Sequence, residues 1–187
     1  MNNNKSTVKC NIRKIVFLIL SIVWMVVIFL YSSRDAALST TDSQTVALTI
    51  GDLTIEDFNQ WSTEQQYQYA ASIDHPVRKA AHFTEYFILG MLLLGAWYDA
   101  EHRKLFKKNV NENDNKPNSV LICIFNALIP LMISLIYAVS DEYHQTHVSG
   151  RSGMMTDVLI DGSGALAGII IALLLITLIG LIRRRHK

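Results

Sequence analysis

Residues 158–182 read VLIDGSGALAGIIIALLLITLIGLI, and this apolar run decides the class of fold. At about 1.5 Å of rise per residue, a helix of this length crosses a bilayer core of roughly 30 Å. Its backbone polar groups find no water in lipid, so a lone apolar segment must be helical there. Similar runs occupy residues 15–31, about 80–97 and 120–139. We therefore predict an all-α protein, a polytopic membrane bundle of four transmembrane helices forming one domain over residues 1–187.

The distribution of lysine and arginine predicts the orientation of these helices. Basic residues are concentrated before the first span, in the segment 98–119 and after the last span. In contrast, residues 32–76 contain only Arg34, and residues 140–157 contain only Arg151. The positive-inside rule then places both termini and the 98–119 linker in the cytoplasm, with the 32–76 loop outside. We expect a multi-pass protein of the cell membrane.

Two other interpretations of the sequence are set aside. The first span follows basic residues, as in a signal peptide, but its apolar run is long and no small-x-small cleavage site follows it. Cys10 and Cys123 lie where a disulfide is implausible, and neither has a CxxC partner. The formal net charge of +1 gives no indication of nucleic-acid binding. Membrane lipids are the expected partners, and a homo-oligomer is an open alternative.

The outer loop carries helix signals of its own. Thr54-x-x-Asp57 and Ser62-x-x-Gln65 match the capping-box pattern. Apolar residues lie beside these boxes: Ile55, Phe58, Trp61, Tyr67 and Tyr69. We predict a partly helical loop that packs on the bundle, in preference to a substrate-selecting lid. The segment 98–119 is polar and contains Pro117, so it is predicted to be a flexible cytoplasmic linker.

Helical spacing brings ionisable side chains together near the outer ends of three spans. On the second span, Arg78, His82 and Glu85 recur at i, i+4 and i+7 and therefore share one face. Other faces are formed by Asp157, Asp161, Gly164 and Gly168 on the fourth span, and by Tyr137, Asp141 and His144 or Gln145 on the third. The glycines allow close helix approach, which would draw Asp161 into the bundle. A charged side chain at a membrane boundary costs free energy unless it is solvated, paired or part of a functional site, so these residues are functional candidates.

The candidates divide into two roles. Acid-base chemistry is assigned to His82, Glu85, Asp141, His144 and Asp161. Substrate binding is assigned to Arg78, Lys79, Glu142, Gln145, Arg151 and Asp157, because arginine and lysine hold phosphate or carboxylate groups. The spacings of His82 with Glu85 and of Asp141 with His144 are compatible with a divalent cation, although neither is a recognised metal motif. The sequence leaves the metal and any cofactor undetermined.

Three stretches resemble the VanZ-like membrane proteins, and the resemblance runs over nearly the whole chain. They are SSRDAALSTTDS at 32–43, VRKAAHFTEYFILG at 77–90, and YAVSDEYHQTHVSGRSGMMTDVLIDGSGALAG at 137–168. Arg34 stands where a glutamine is common in that family, and His147 and Ser149 also depart from its pattern. The resemblance implies a cytoplasmic-membrane protein whose namesake gives resistance to teicoplanin. That antibiotic is a lipid-tailed glycopeptide that binds cell-wall precursors outside the cell.

Three classes of function remain open at this level. The preferred one is an outward-facing polar site that binds or modifies an anionic cell-envelope lipid or a lipoglycopeptide and contributes to glycopeptide resistance. Whether such a site is enzymatic is undetermined. The second is a small transporter or flippase that uses the intramembrane carboxylates Glu85 and Asp161. The third is a structural protein in which Arg78 pairs with Glu85, or Arg151 with Asp157.

Overall fold

The computed structural model describes residues 2–98 and 119–185. These residues form five α-helices and one short 3-10 helix. Their bounds are α1 Asn2–Ser32, α2 Ala36–Thr54, the 3-10 helix Phe58–Gln60, α3 Thr63–Trp97, α4 Ser119–Gln145 and α5 Met155–Arg185. The all-α prediction is confirmed for the described residues. The predicted linker 98–119 lies almost wholly outside them, and the side chains of Cys10 and Cys123 are likewise not described.

Three helices in the described part of the chain are long and apolar enough to cross a membrane. The candidate spans are Ile12–Ser32 of α1, Thr63–Trp97 of α3 and Met155–Arg183 of α5. Their outward faces carry exposed large apolar side chains, including Leu30, Leu159 and Leu174. Such faces suit contact with lipid. The predicted third span, 120–139, lies within α4, and the number of four spans and their orientation stay predictions.

The outer loop is more ordered than its sequence predicts. Residues 63–76 were assigned to this loop, but they form the first part of α3, which continues through Pro76 into the second span. The predicted capping box at Ser62 and Gln65 is present, and it starts α3. The box at Thr54 is wrong: Thr54 is the last residue of α2, and Asp57 adopts a left-handed conformation with φ of 58°. A side chain in that conformation cannot lie inside an α-helix.

Helix α2 packs against α3, as predicted for the outer loop. It buries Ser39, Ser43, Ala47 and Gly51. The hydroxyl of Ser43 donates to Asp74 of α3. Next to the end of α2, the buried Phe58 contacts the rings of Trp61 and Tyr69, with centroids 5.2 Å and 5.4 Å away. These contacts hold α2 on the side of the bundle where the charged residues of α3 begin.

Helices α3 and α5 approach each other through glycines. A Cβ added to Gly168 would lie 2.0 Å from the backbone oxygen of Phe87, and one added to Gly164 would lie 2.3 Å from that of Phe83. Gly90 of α3 faces Ala165 in the same way, at 2.4 Å. The small-residue face predicted for the last helix therefore forms this interface. It carries Asp161 into the interior, where the residue is 0% exposed.

Candidate functional site

Five polar side chains are buried where α1, α3, α4 and α5 meet at one end of the bundle. They are Ser32 of α1, Asp141, Glu142 and Gln145 of α4, and Asp161 of α5. The three helix ends that helical spacing singled out do converge. Buried carboxylates are costly unless they are hydrogen-bonded or paired with a cation, so their partners decide what the site can do.

A cluster of His82, Asp141 and Asp161 lies at the centre of this region. The His82 Nδ1 atom lies 3.6 Å from Asp161 Oδ1, which is too far for a hydrogen bond. One ligand atom from each of the three residues lies within 4.8 Å of the others. Both Asp161 oxygens, Asp141 Oδ1 and His82 Nδ1 are buried and have no hydrogen-bond partner among the described residues. The cluster therefore has unused bonding capacity in the interior.

The second oxygen of Asp141 is held firmly. Asp141 Oδ2 accepts hydrogen bonds from Ser32 Oγ at 2.8 Å and from Gln145 Nε2 at 3.1 Å. Gln145 Nε2 is also 3.5 Å from Ser32 Oγ. Ser32 belongs to the serine-containing stretch after the first span but was not among the predicted site residues. Ser32 lies at the end of α1, whereas its partner Asp141 lies on α4. Spacing within one helix does not predict a contact between two helices.

The basic residues have different partners from those predicted. Arg78 Nη2 donates to Asp74 Oδ2 at 2.8 Å and to Thr40 Oγ1 at 3.2 Å. Lys79 Nζ lies 3.8 Å from Asp157 Oδ1. The ion pairs of the described residues include neither of the alternative pairings, Arg78 with Glu85 or Arg151 with Asp157. The i−4 carboxylate Asp74 is the nearer partner on the same helix face.

Arg151 lies in the loop between α4 and α5 with its Nε buried and without a hydrogen-bond partner in the described residues. Burial lowers its pKa, and the positive charge of Arg78 lowers it further, while Asp141 raises it. An arginine side chain stays charged in proteins even so. Its Nε–H is therefore a charged donor with unfilled hydrogen-bonding capacity.

Two predicted site residues serve other contacts. His144 Nε2 lies 3.1 Å from Ser33 Oγ, and its ring contacts that of Phe29 in a tilted arrangement with centroids 4.7 Å apart. Glu142 Oε2 accepts a hydrogen bond from the backbone N–H of Met154 at 2.8 Å, next to the start of α5. Burial raises the pKa of Glu142, and this hydrogen bond opposes the rise. These contacts position helix ends, and they place both residues outside the His82 cluster.

A cavity of about 680 Å³ opens beside the cluster, between α1, α2, α3 and the Arg151 loop. Its apolar wall includes Trp24 of α1, Val46 and Ile50 of α2, and Ile73 and Ile88 of α3. Its charged lining consists of Arg34, Asp42, Arg78, His82, Glu85 and Arg151. Arg34 is paired with Asp42. None of the predicted site residues lies on α2. The sequence does contain a signal for this helix, because Val46 and Ile50 are one helical turn apart and indicate an apolar face.

The family model described as VanZ/LLP1 matches residues 17–177. No curated protein and no solved structure matches the chain. The match includes the first span, the cavity and the buried cluster. Together with the three apolar helices, it shows that this chain is a membrane protein that belongs to the VanZ/LLP1 family.

Proposed function

We propose that the cavity binds an anionic amphiphile of the cell envelope, a lipid or a lipoglycopeptide, and that this protein contributes to resistance against teicoplanin-type antibiotics. The observation that carries the proposal is a cavity lined both by apolar side chains and by Arg151, whose buried Nε has no hydrogen-bond partner in the described residues. A ligand with an acyl chain and an anionic group matches both features.

The size and lining of the cavity support an amphiphilic ligand. Its volume of about 680 Å³ lies within the range of ligand pockets, roughly 300–1,000 Å³. Val46 and Ile50 of α2 and Ile73 and Ile88 of α3 line it, and an alkyl chain gains free energy by leaving water for such a surface. The helix α2 therefore has a role as a wall of the binding site.

The charges of the cavity favour an anion. Three arginines line it against two carboxylates, Asp42 and Glu85. Arg34 and Arg78 are already paired with Asp42 and Asp74, so they provide positive potential and not free donors. Arg151 retains donor capacity, and a guanidinium binds phosphate or carboxylate with two parallel hydrogen bonds. Arg151 is therefore the proposed primary contact to the anionic group.

The positions of lysine and arginine support an outward-facing cavity. We propose four spans, with α4 as the third in chain order, and with both termini in the cytoplasm. Arg34 and the Arg151 loop belong to the two connections that are poor in basic residues. A multi-pass protein oriented in this way in the cell membrane meets envelope lipids and glycopeptides from the outer leaflet.

The two alternatives have less support. A purely structural role accounts for Arg78 with Asp74 and for Lys79 with Asp157. It leaves unexplained the buried polar atoms of Arg151 and Asp161, which have no hydrogen-bond partner in the described residues. A transporter or flippase would use Glu85 and Asp161, and of these two carboxylates only Glu85 lines the cavity.

The test measures binding to the full-length protein in detergent through Trp24, the tryptophan that lines the cavity. Trp61→Phe and Trp97→Phe leave Trp24 as the only tryptophan of the chain. Teicoplanin is compared with its deacylated form, and an anionic phospholipid with a zwitterionic one of the same chains. We expect the acylated and anionic forms to change the fluorescence of Trp24 at the lowest concentrations.

The variant Arg151→Gln should weaken this binding by about 10-fold or more, because it removes a hydrogen bond to a charged group. Arg183→Gln, an exposed arginine near the end of α5, is the matched control and should bind as the parent does. Equal affinity of both variants, or equal binding of neutral and anionic ligands, would refute the anionic-amphiphile proposal.

A further inference from the structure

The cluster of His82, Asp141 and Asp161 brings together one imidazole and two carboxylates from three different helices. The side chain of His82 is 13% exposed. The residues Asp141 and Asp161 are 3% and 0% exposed. The three ligand atoms lie within 4.8 Å of one another. Residue spacing within a single helix cannot predict this cluster, because α3, α4 and α5 each contribute one residue.

The bonding capacity of this cluster is unfilled. Both oxygens of Asp161, one oxygen of Asp141 and Nδ1 of His82 have no hydrogen-bond partner within the described residues. Most buried polar atoms in proteins are hydrogen-bonded, and a buried carboxylate without a donor carries a large desolvation cost. A single cation placed between the three residues would satisfy all of these atoms.

The neighbouring basic residues do not fill this role. Arg78 donates to Asp74 and Thr40, and Lys79 pairs with Asp157. Arg151 is close enough to affect the charge balance, but it donates no hydrogen bond to the cluster among the described contacts. Both oxygens of Asp161 and the Oδ1 atom of Asp141 therefore have no donor among the described residues, and a divalent cation would balance the charge of the two carboxylates.

We propose that His82, Asp141 and Asp161 bind a divalent transition-metal ion of the Mn²⁺ or Zn²⁺ type. Imidazole suits Zn²⁺ and carboxylates suit Mn²⁺, so a mixed set selects this class over Ca²⁺. Three protein ligands with one open position are the pattern of catalytic zinc sites, where donors lie about 2.0–2.2 Å from the metal. The His82 Nδ1 and Asp161 Oδ1 atoms, 3.6 Å apart, are already close to the spacing of two donors on one such metal, and a ligand atom of Asp141 lies within 4.8 Å of the other two residues' ligand atoms and would move inward on binding. Glu85 and His144, which spacing had offered as ligands, lie outside this set.

Outer contacts already hold one of the proposed ligands. Ser32 and Gln145 bond to Oδ2 of Asp141 and leave Oδ1 unbonded. Such outer-shell hydrogen bonds orient metal-binding carboxylates. His82 also lines the cavity, so the metal would lie beside the proposed ligand site and would polarise a phosphoryl or carbonyl oxygen there. The metal site does not depend on the amphiphile proposal.

The experiment measures metal in the full-length protein purified in detergent. Metal content is determined by mass spectrometry as isolated, and the chelator-treated protein is titrated with Mn²⁺, Zn²⁺ and Co²⁺, whose visible spectrum reports its ligands. We expect about one ion per chain. His82→Gln and Asp161→Asn should each lower affinity by more than about 100-fold, beyond the effect of losing an outer-shell contact.

Matched controls are His147→Gln and Asp52→Asn, since both residues are exposed and lie outside the cluster. Both should bind metal as the parent does, and a symmetric size-exclusion peak shows that each variant is folded. If Asp161→Asn fails to fold, His82→Gln decides. Metal binding that is absent from the parent, or that survives unchanged in folded His82→Gln, overturns the proposal. Loss of metal with unchanged binding of the amphiphile would leave the proposed function intact.

Discussion

The substitution Gly168→Ala tests whether the glycine contact between α3 and α5 holds the site together. The added Cβ would lie 2.0 Å from the backbone oxygen of Phe87, whereas carbon-to-oxygen contacts ordinarily lie at about 3.3–3.6 Å. The obstacle is backbone and not a flexible side chain, so the two helices must separate by more than about 1 Å. Overpacking of this kind costs about 1–3 kcal/mol.

For a chain of this size, each kcal/mol changes Tm by about 2–4 °C, so we expect Gly168→Ala to lower Tm by about 2–12 °C. The assay is thermal unfolding of the full-length protein in detergent, followed by fluorescence-detected size exclusion. Gly180→Ala is the matched control, because it makes the same change on the same helix with nothing within 4 Å of its Cβ. Its higher helix propensity should leave Tm equal or slightly raised. Equal Tm values for the two variants would refute the close-approach argument.

Three further predictions concern topology, the anion contact and the buried acid. In a Cys-free chain, Leu53→Cys should react with an impermeant thiol reagent in intact cells, because residue 53 is 79% exposed and lies in the predicted outer connection. Asn111→Cys should not react, and the reverse pattern contradicts an outward cavity. Arg151→Lys should keep the normal protein level but reduce resistance to teicoplanin, because lysine lacks the bidentate fork; full resistance in this variant would exclude the guanidinium contact. Asp161→Asn should accumulate in the membrane at the normal level and lose activity, and a normal level with normal activity would make its charge dispensable.

The apolar runs alone were sufficient to predict an all-α membrane protein. Residues 158–182 exceed the length needed to cross a bilayer, and lipid leaves the backbone no alternative to helix. The glycine face of α5 was also predictable, since the 3.6-residue period places Asp161, Gly164 and Gly168 on one side. The capping box at Ser62 was a local pattern and was correct.

The tertiary structure alone decided which side chains meet. Helical period defines the face of a residue on its own helix, but the rotation and depth of the neighbouring helices determine what that face contacts. His82 therefore meets Asp141 and Asp161, which lie far away in sequence, whereas the pair of Arg78 with Asp74 requires only that α3 continues through Pro76. The role of α2 as a cavity wall follows from its packing on α3. The positions of these helices are set by backbone contacts such as that of Gly168 with Phe87. The glycine face can be predicted from the local sequence, but the residue that it contacts depends on how the whole bundle packs.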